Sequence, residues 1–349
     1  MLVSKHSLMR TALATLYHSG GHRLLAPITR GLGAILMLHR VSPQPAAAFD
    51  PNGTLRVMPD FLDGAIRLAR AEGYECVSLD EARRRLRNPT RQRPFVAFTL
   101  DDGYRDNLEH AYPVFARHQV PFCIYVPTSY ANGRGDLWWA NLEQALSAGR
   151  TLVVTKDGAA VPLDCANPVL RQRAWDSLYW WLRGLDDDDA RAIIRDLCVQ
   201  AGVDPGQNAR AMLTWSELAT LMADPLCTIG AHTVHHYCLA KLDAQRCFHE
   251  MVDGKQELET RLGRPIQHFS YPYGSAADCG AREFELAAEA GFDTAVTTRK
   301  GLLFAEHRGR LMALPRLSLN GHYQDLNMLA VLLGGTPFAL MNRFRRLAA

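Results

Sequence analysis

No stretch of the 349 residues sustains an apolar run of roughly 18, the length a membrane-crossing helix needs, so a membrane span is not expected. A signal peptide is not expected either. The apolar stretch Thr11 to Tyr17 is short and is followed at once by His18, His22 and Arg23, whereas a signal peptide has a longer apolar core and a small-residue cleavage site. Cysteine spacing is also uninformative as a scaffold. The eight stand at 76, 123, 165, 198, 227, 238, 247 and 279, and no two have metal-ribbon or redox-motif spacing. They read as mostly buried thiols in a reducing compartment, which suits the cytoplasm. A net charge of only +3, with no basic stripe carrying interleaved aromatics, argues against nucleic acid as a partner. No GxGxxG follows the first apolar run, which removes the dinucleotide signature. No internal repeat or low-complexity stretch is visible.

Acidic residues are missing from the beginning of the chain. The first is Asp50, whereas Lys5, Arg10, Arg23, Arg30 and Arg40 precede it. At the other end, Phe338 to Leu347 carries Arg343, Arg345 and Arg346 among Phe338, Leu340, Met341, Phe344 and Leu347. Residues 1–32 therefore read as a basic helical segment and 326–349 as a basic amphipathic helix. The plainer expectation is that both pack on the main domain. The alternative is peripheral contact with anionic lipid headgroups. These features together suggest a cytoplasmic or membrane-apposed location.

Ordinary globular values, 48% hydrophobic and 21% charged, suit one large or two medium domains. Short apolar runs alternate with helical patterns. Strands are expected at Ala34–Leu38, Cys76–Leu79, Phe95–Leu100, Phe122–Val126, Cys227–Ala231, His268–Tyr271, Thr294–Thr297 and Leu314–Leu319. Helices are expected at Phe61–Glu72, Asn107–His118, Leu242–Leu262 and Glu283–Ala290. About eight strands with helices between them favour an α/β fold with a parallel sheet. Polar clusters close several strands, which is where a parallel barrel carries its site; an open doubly wound sheet would also gather them on one edge. Residues 130–212 break the rhythm. They hold Trp138, Trp139, Trp175, Trp180, Trp181 and the acidic run Asp186 to Asp189. This reads as a mainly helical insertion whose aromatics form a small core of their own, with Trp138 or Trp139 as candidates for stacking on a sugar ring.

Two of the strand ends carry chemistry. Phe98-Thr99-Leu100-Asp101-Asp102-Gly103-Tyr104 ends in paired aspartates, and His232-Thr233-Val234-His235-His236 follows about 130 residues later. Asp-Asp-Gly alone is usually a turn. Histidines four apart can meet one ion on the same side of a helical turn. His232 and His236 have that spacing, and His235 competes at spacing three. A carboxylate completes a two-histidine, one-carboxylate face with open positions for water. Of two adjacent aspartates, one can bind the ion while the other takes a proton from water.

These residues resemble the polysaccharide deacetylases, the NodB-homology family (carbohydrate esterase family 4). Thr99 to Gly103 is similar to the family's first motif, Gly230 to His236 to its second, and Phe269-Ser270-Tyr271-Pro272-Tyr273-Gly274 to its third. They occur in the family's order, over roughly residues 33–125 and 213–320. The resemblance implies a distorted (β/α)7-8 barrel, here spanning 33–325 with the insertion, and removal of acetyl groups from sugars. It implies Asp101 as base, Asp102, His232 and His236 as metal ligands, and Tyr273 as the residue whose backbone N–H steadies the oxyanion. His235 becomes the variable residue and Pro272 a substrate-side one. Where the family often has an arginine orienting the base, Ser270 stands; Arg316 is the candidate replacement. The Phe-x-Tyr-Pro-Tyr-Gly form resembles a branch acting on poly-N-acetylglucosamine, which places a histidine at the end of the first strand. His39 is therefore the expected acid, with His268 and His322 as weaker candidates.

The expectation is a divalent-metal hydrolase, with zinc favoured and cobalt or nickel as alternatives. It acts on N-acetylated amino sugars in a polysaccharide, glycan or lipid-linked substrate. The rivals are an O-deacetylase on acylated glycans, a two-histidine, one-carboxylate iron oxygenase, and a binding protein that kept the fold without the activity.

Overall fold

The computed structural model describes residues 5–89 and 93–346; the outermost parts of both expected terminal segments, including Leu347, lie outside the described residues. Among the described residues there are twelve strands: β1 (Gly33–Leu38), β2 (Arg40–Val41), β3 (Arg56–Val57), β4 (Glu75–Cys76), β5 (Phe95–Leu100), β6 (Phe122–Val126), β7 (Leu152–Lys156), β8 (Ala159–Leu163), β9 (Cys227–Ala231), β10 (His268–Ser270), β11 (Thr294–Lys300) and β12 (Leu314–Ser318). The near-continuous apolar runs are what parallel strands buried on both faces require. Every residue of β1, β5 and β6 is buried.

Seven strands close into a barrel in the order β1-β12-β11-β10-β9-β6-β5, with β5 returning to β1 along its whole length, from Gly33 opposite Phe95 to Leu38 opposite Leu100. All of these pairings are parallel, so all the carboxyl ends lie on one side. β4 pairs only with the first two residues of β5 and takes no part in the closure. The strand expected at Cys76–Leu79 thus stops at Cys76. Ser78 ends it, because its hydroxyl accepts from Glu81 N–H at 3.2 Å and caps a helix, Leu79–Arg87. Ser-x-x-Glu is a helix start signal, and the strand expectation overran it.

The expected Asn107–His118 helix opens with a π-helical turn, Asn107–Ala111, before Tyr112–His118. Such turns often mark functional sites. Here Asn107 Nδ2 donates to His39 O at 2.8 Å, and Asp106 accepts from Val41 N–H and Arg40 Nε. The turn therefore ties down the end of β1.

The insertion has three helices, Trp138–Ser147, Pro168–Gly184 and Asp187–Ala201, and also an antiparallel hairpin of β7 and β8. The hairpin was not anticipated, although Asp157-Gly158, both with positive φ, is a strong hairpin-turn signal. The insertion aromatics Trp138, Trp139 and Trp175 do form a core with Leu142, Ile194 and Leu197; Trp180 is 75% exposed.

Helices Lys5–His18 and Gly21–Thr29 precede the barrel. The C-terminal segment is two helices, Leu326–Leu333 and Thr336–Met341, separated by Gly334-Gly335. This corrects the expectation of one basic helix. Left-handed Gly335 breaks it, and the arginines follow its end. Among the described residues no helix is long and apolar enough to cross a membrane.

Candidate active site

Asp102, His232 and His236 meet at the carboxyl ends of β5 and β9, with one potential ligand atom of each within 4.8 Å of the others. Asp102 Oδ1 lies 3.5 Å from His232 Nε2 and 3.3 Å from His236 Nε2. All three are buried. Asp102 Oδ1 has no hydrogen-bond partner among the described residues, and a buried carboxylate oxygen is seldom left so. His232 Nδ1 lies 2.6 Å from Ser270 O. A carbonyl only accepts, so Nδ1 donates to it, and Nε2 is the nitrogen that faces Asp102. Anchoring the far nitrogen in this way is how metal-ligating histidines are oriented. Burial would raise the Asp102 carboxyl, but the two imidazoles facing it hold it well below the usual range. Burial pushes the His236 imidazole down. Two imidazoles and one carboxylate are a donor set that fits a divalent ion such as zinc.

The histidines come together for a reason other than the one their spacing suggested. Residues 232–238 form an irregular loop, not a helical turn. Thr233 and His236 both have positive φ, and Thr233 Oγ1 accepts from His236 N–H at 2.9 Å. The helix Ala244–Leu262 supports this loop. Glu250 accepts from the N–H groups of Val234 and His235 and lies 2.6 Å from His235 Nδ1. Gly254, one turn further on, lets the helix come close; a Cβ there would sit 2.9 Å from the Thr233 carbonyl. His235 is thereby turned out, with its side chain 48% exposed, and the ambiguity between spacing three and four resolves to His236. Positive φ also occurs at Asp102 and Tyr273. Four strained non-glycine residues thus ring one site, where such strain tends to collect.

Asp101 is held separately. Arg316 on β12 grips it bidentately, Nη1 to Oδ1 and Nη2 to Oδ2, both at 2.7 Å. The same guanidinium donates to Ser270 Oγ at 3.0 Å, Thr99 Oγ1 at 3.2 Å and Thr297 O at 2.9 Å. Arg316 is 1% exposed. The arginine absent at Ser270 is thus matched by one from another strand, and Ser270 serves as its acceptor. Burial pushes the Asp101 carboxyl up, but Arg316 outweighs it and the group stays below its usual range. His39 stands at the end of β1 with Nε2 4.0 Å from Asp101 Oδ2 and a side chain 21% exposed. Of the weaker histidine candidates, His268 lies buried at the start of β10, the far end of the barrel, against Thr294 and Asp80. His322 is exposed in the turn after β12.

Tyr273 sits in the loop after β10. Its N–H carries no hydrogen bond among the described residues. Gly274, at φ 65°, lets the loop pass Thr298 N, which a Cβ would approach to 2.8 Å. The Tyr273 hydroxyl accepts from Trp138 Nε1 at 2.8 Å, and Arg183 lies 3.5 Å over its ring. Trp138 and Trp139 are only 5% and 6% exposed. They do not offer open faces for a sugar; Trp139 packs 5.2 Å from the His236 ring and donates to Tyr104. Trp139 walls the His236 side instead, and Trp138 the Tyr273 side. Pro272 is buried as well, so a substrate contact there is not what its position offers. Sequence reasoning missed Arg183, Glu250 and Tyr104. Only their meeting in space marks them.

Residues 188–295 match the sequence model of the family described as Polysaccharide deacetylase. The match takes in the histidine loop and the Pro-Tyr-Gly turn, and the fold brings the Asp-Asp pair, which lies outside it, to the same place. Over that stretch the chain resembles the polysaccharide deacetylases. No curated protein matches the chain by sequence. Its fold is that of a Streptococcus pyogenes deacetylase, PplD, solved in complex with acetate: TM-score 0.57 and 19% identity over 86% of this chain and 97% of that one. IcaB from Ammonifex degensii gives 0.52 and 17%, over 87% and 97%. A de-N-acetylase from Aggregatibacter actinomycetemcomitans gives 0.55 and 12%, over 86% and 99%. At these identities the likeness is one of fold.

Proposed function

We propose that the protein is a divalent-metal-dependent deacetylase that releases acetate from N-acetylated amino sugars in a glycan or a lipid-linked saccharide. The observation that carries this reading is the division between the adjacent aspartates. Asp102 turns a partnerless oxygen towards two imidazoles, whereas Asp101 is fixed by the Arg316 guanidinium, which holds its carboxyl below the usual range. A divalent ion held by Asp102, His232 and His236, with zinc preferred over cobalt or nickel, would polarise the acetyl carbonyl and acidify the attacking water. Asp101 accepts the proton from that water, and Arg316 aims the carboxylate. The Tyr273 N–H donates to the oxyanion of the tetrahedral intermediate. His39, beside Asp101 and partly open to solvent, protonates the departing nitrogen. That last role favours amide over ester cleavage, because an amine leaves poorly without a proton while an alcohol needs less help. An iron oxygenase would leave the Asp101–Arg316 pair without a task. Two of the fold relatives, a deacetylase solved with acetate and a de-N-acetylase, support the reaction class. N-acetylglucosamine units are the substrate we favour, met in the cytoplasm or at the membrane face.

The test is acetate and amine release from free, polymeric and lipid-linked N-acetylhexosamines. Wild type should release both in equal amounts, and Asp101→Asn should be slower by about 10²- to 10⁴-fold. Acetate released from O-acetyl substrates alone would replace this reading with the esterase one. An undiminished Asp101→Asn rate would remove Asp101 from the reaction.

A further inference from the structure

The terminal helices make a second feature, remote from the reacting groups. Among the described residues, six of the eleven exposed large apolar side chains lie on the terminal segments: Leu24 (82%), Ile28 (68%), Leu326 (38%), Leu340 (57%), Met341 (63%) and Phe344 (64%). The two segments interlock, with Thr29 Oγ1 donating to Gly334 O at 2.5 Å. Ile28 and Phe344 line one apolar cavity of about 240 Å³ beside Arg345 and Arg346. Leu340 and Met341 line another of about 300 Å³ with Leu13, Leu16, Leu317 and Leu319. The charge on these segments is of one sign. Residues 5–30 and 326–346 contain Lys5, Arg10, Arg23, Arg30, Arg343, Arg345 and Arg346, and no aspartate or glutamate.

We infer that this face docks on an anionic phospholipid bilayer. Apolar side chains ringed by cations are what an interfacial site needs, the apolar part entering the acyl boundary and the cations meeting headgroup phosphates. A second copy of the chain fits less well. A two-fold interface sets the same patch against itself, which would bring Arg343 and Arg345 against their own equivalents, and like charges opposed across an interface are costly. The larger cavity supplies an apolar cleft for a hydrocarbon chain. Its lining includes Ser318 and Leu319 at the carboxyl end of β12, and Ser318 pairs with Met37, two residues before His39. The larger cavity thus lies beside the carboxyl end of β12, the end of the barrel that carries the active site. The inference concerns binding alone and stands apart from the reaction proposed above.

The experiment is co-sedimentation of the full chain with vesicles of phosphatidylcholine, with and without phosphatidylglycerol. Binding is expected to the anionic vesicles, to weaken at high salt, and to be slight on neutral ones. Arg23 pairs with Glu72 and Arg346 with Glu306, so the charge variant is Arg343→Gln with Arg345→Gln. At about fivefold per cation, it should reduce partitioning on the order of twentyfold. Leu340→Ser with Phe344→Ser should reduce it too, while leaving thermal stability and turnover of a soluble substrate unchanged. No binding to anionic vesicles, equal binding to neutral ones, or undiminished binding by both variants would overturn the inference. So would a concentration-dependent dimer, abolished by Leu340→Ser with Phe344→Ser, in a chain that ignores vesicles.

Discussion

Asp101 and Asp102 differ by one position in sequence and by everything around them in space. Both are buried and both are held below the usual carboxylate range, but by different partners: a guanidinium for one, two imidazoles for the other. The pair was legible in the sequence because the motif is short and local. Its histidine partners were also legible, though the reason given for them was incomplete: the i, i+4 spacing pointed to a helical turn, and the chain instead uses a strained loop fixed by Thr233 and Glu250. Arg316 entered as a candidate only through the gap at Ser270, because its contact with Asp101 spans two strands that no local pattern links. Arg316→Ala should leave Asp101 buried without its counter-charge and cost about 3–5 kcal/mol, measured by denaturant unfolding; a loss under 1 kcal/mol would mean the pair is open to water. His39→Ala should lower turnover of an amide substrate about 10²-fold or more and leave metal content intact by elemental analysis. A full-rate variant would end its assignment as the acid. The tryptophans show the opposite failure. Composition revealed Trp138 and Trp139 but not their burial, since exposure depends on what the insertion packs against.

At the scale of elements, the insertion braces the third motif. The helix Pro168–Gly184 sends Arg183 over the Tyr273 ring and to Asp278 Oδ1 at 2.6 Å, while Trp138 from the preceding helix holds the Tyr273 hydroxyl. Burial would raise the Asp278 carboxyl, but Ser275 and Arg183 outweigh it and the group is lowered. A carboxyl depressed in the folded state adds stability above its unfolded pKa of about 3.9. That contribution is lost as pH falls through the folded value. Wild type should therefore exceed Asp278→Asn by about 2 kcal/mol near pH 6, and the gap should close on acidification below pH ~4. Paired thermal melts across that range check it; a gap that does not change with pH would mean Asp278 acts through packing alone. Element boundaries were legible wherever a cap or a proline stood, as at Gly263. They failed at Ser78, where a capping signal was read through, and at Asp157-Gly158, where a hairpin signal was passed over inside a stretch taken as helical.

At the scale of the molecule, strand-helix alternation and polar strand ends were enough to predict a parallel α/β sheet, the family resemblance implied a barrel, and seven strands close it. Alternation alone did not choose between a closed barrel and an open sheet. Closure depends on β5 meeting β1, a pairing between residues more than sixty positions apart. That same closure brings Arg316, His39 and both aspartates to one rim. The account as a whole rests on an ion at Asp102, His232 and His236 that turns this rim into a deacetylase. The direct measurement is acetate release by metal-stripped protein titrated with zinc. Activity should be absent at the start and rise to a plateau at one ion per chain, with no rise in a His232→Ala variant. Full activity in the stripped protein, or an equal response in that variant, would contradict it.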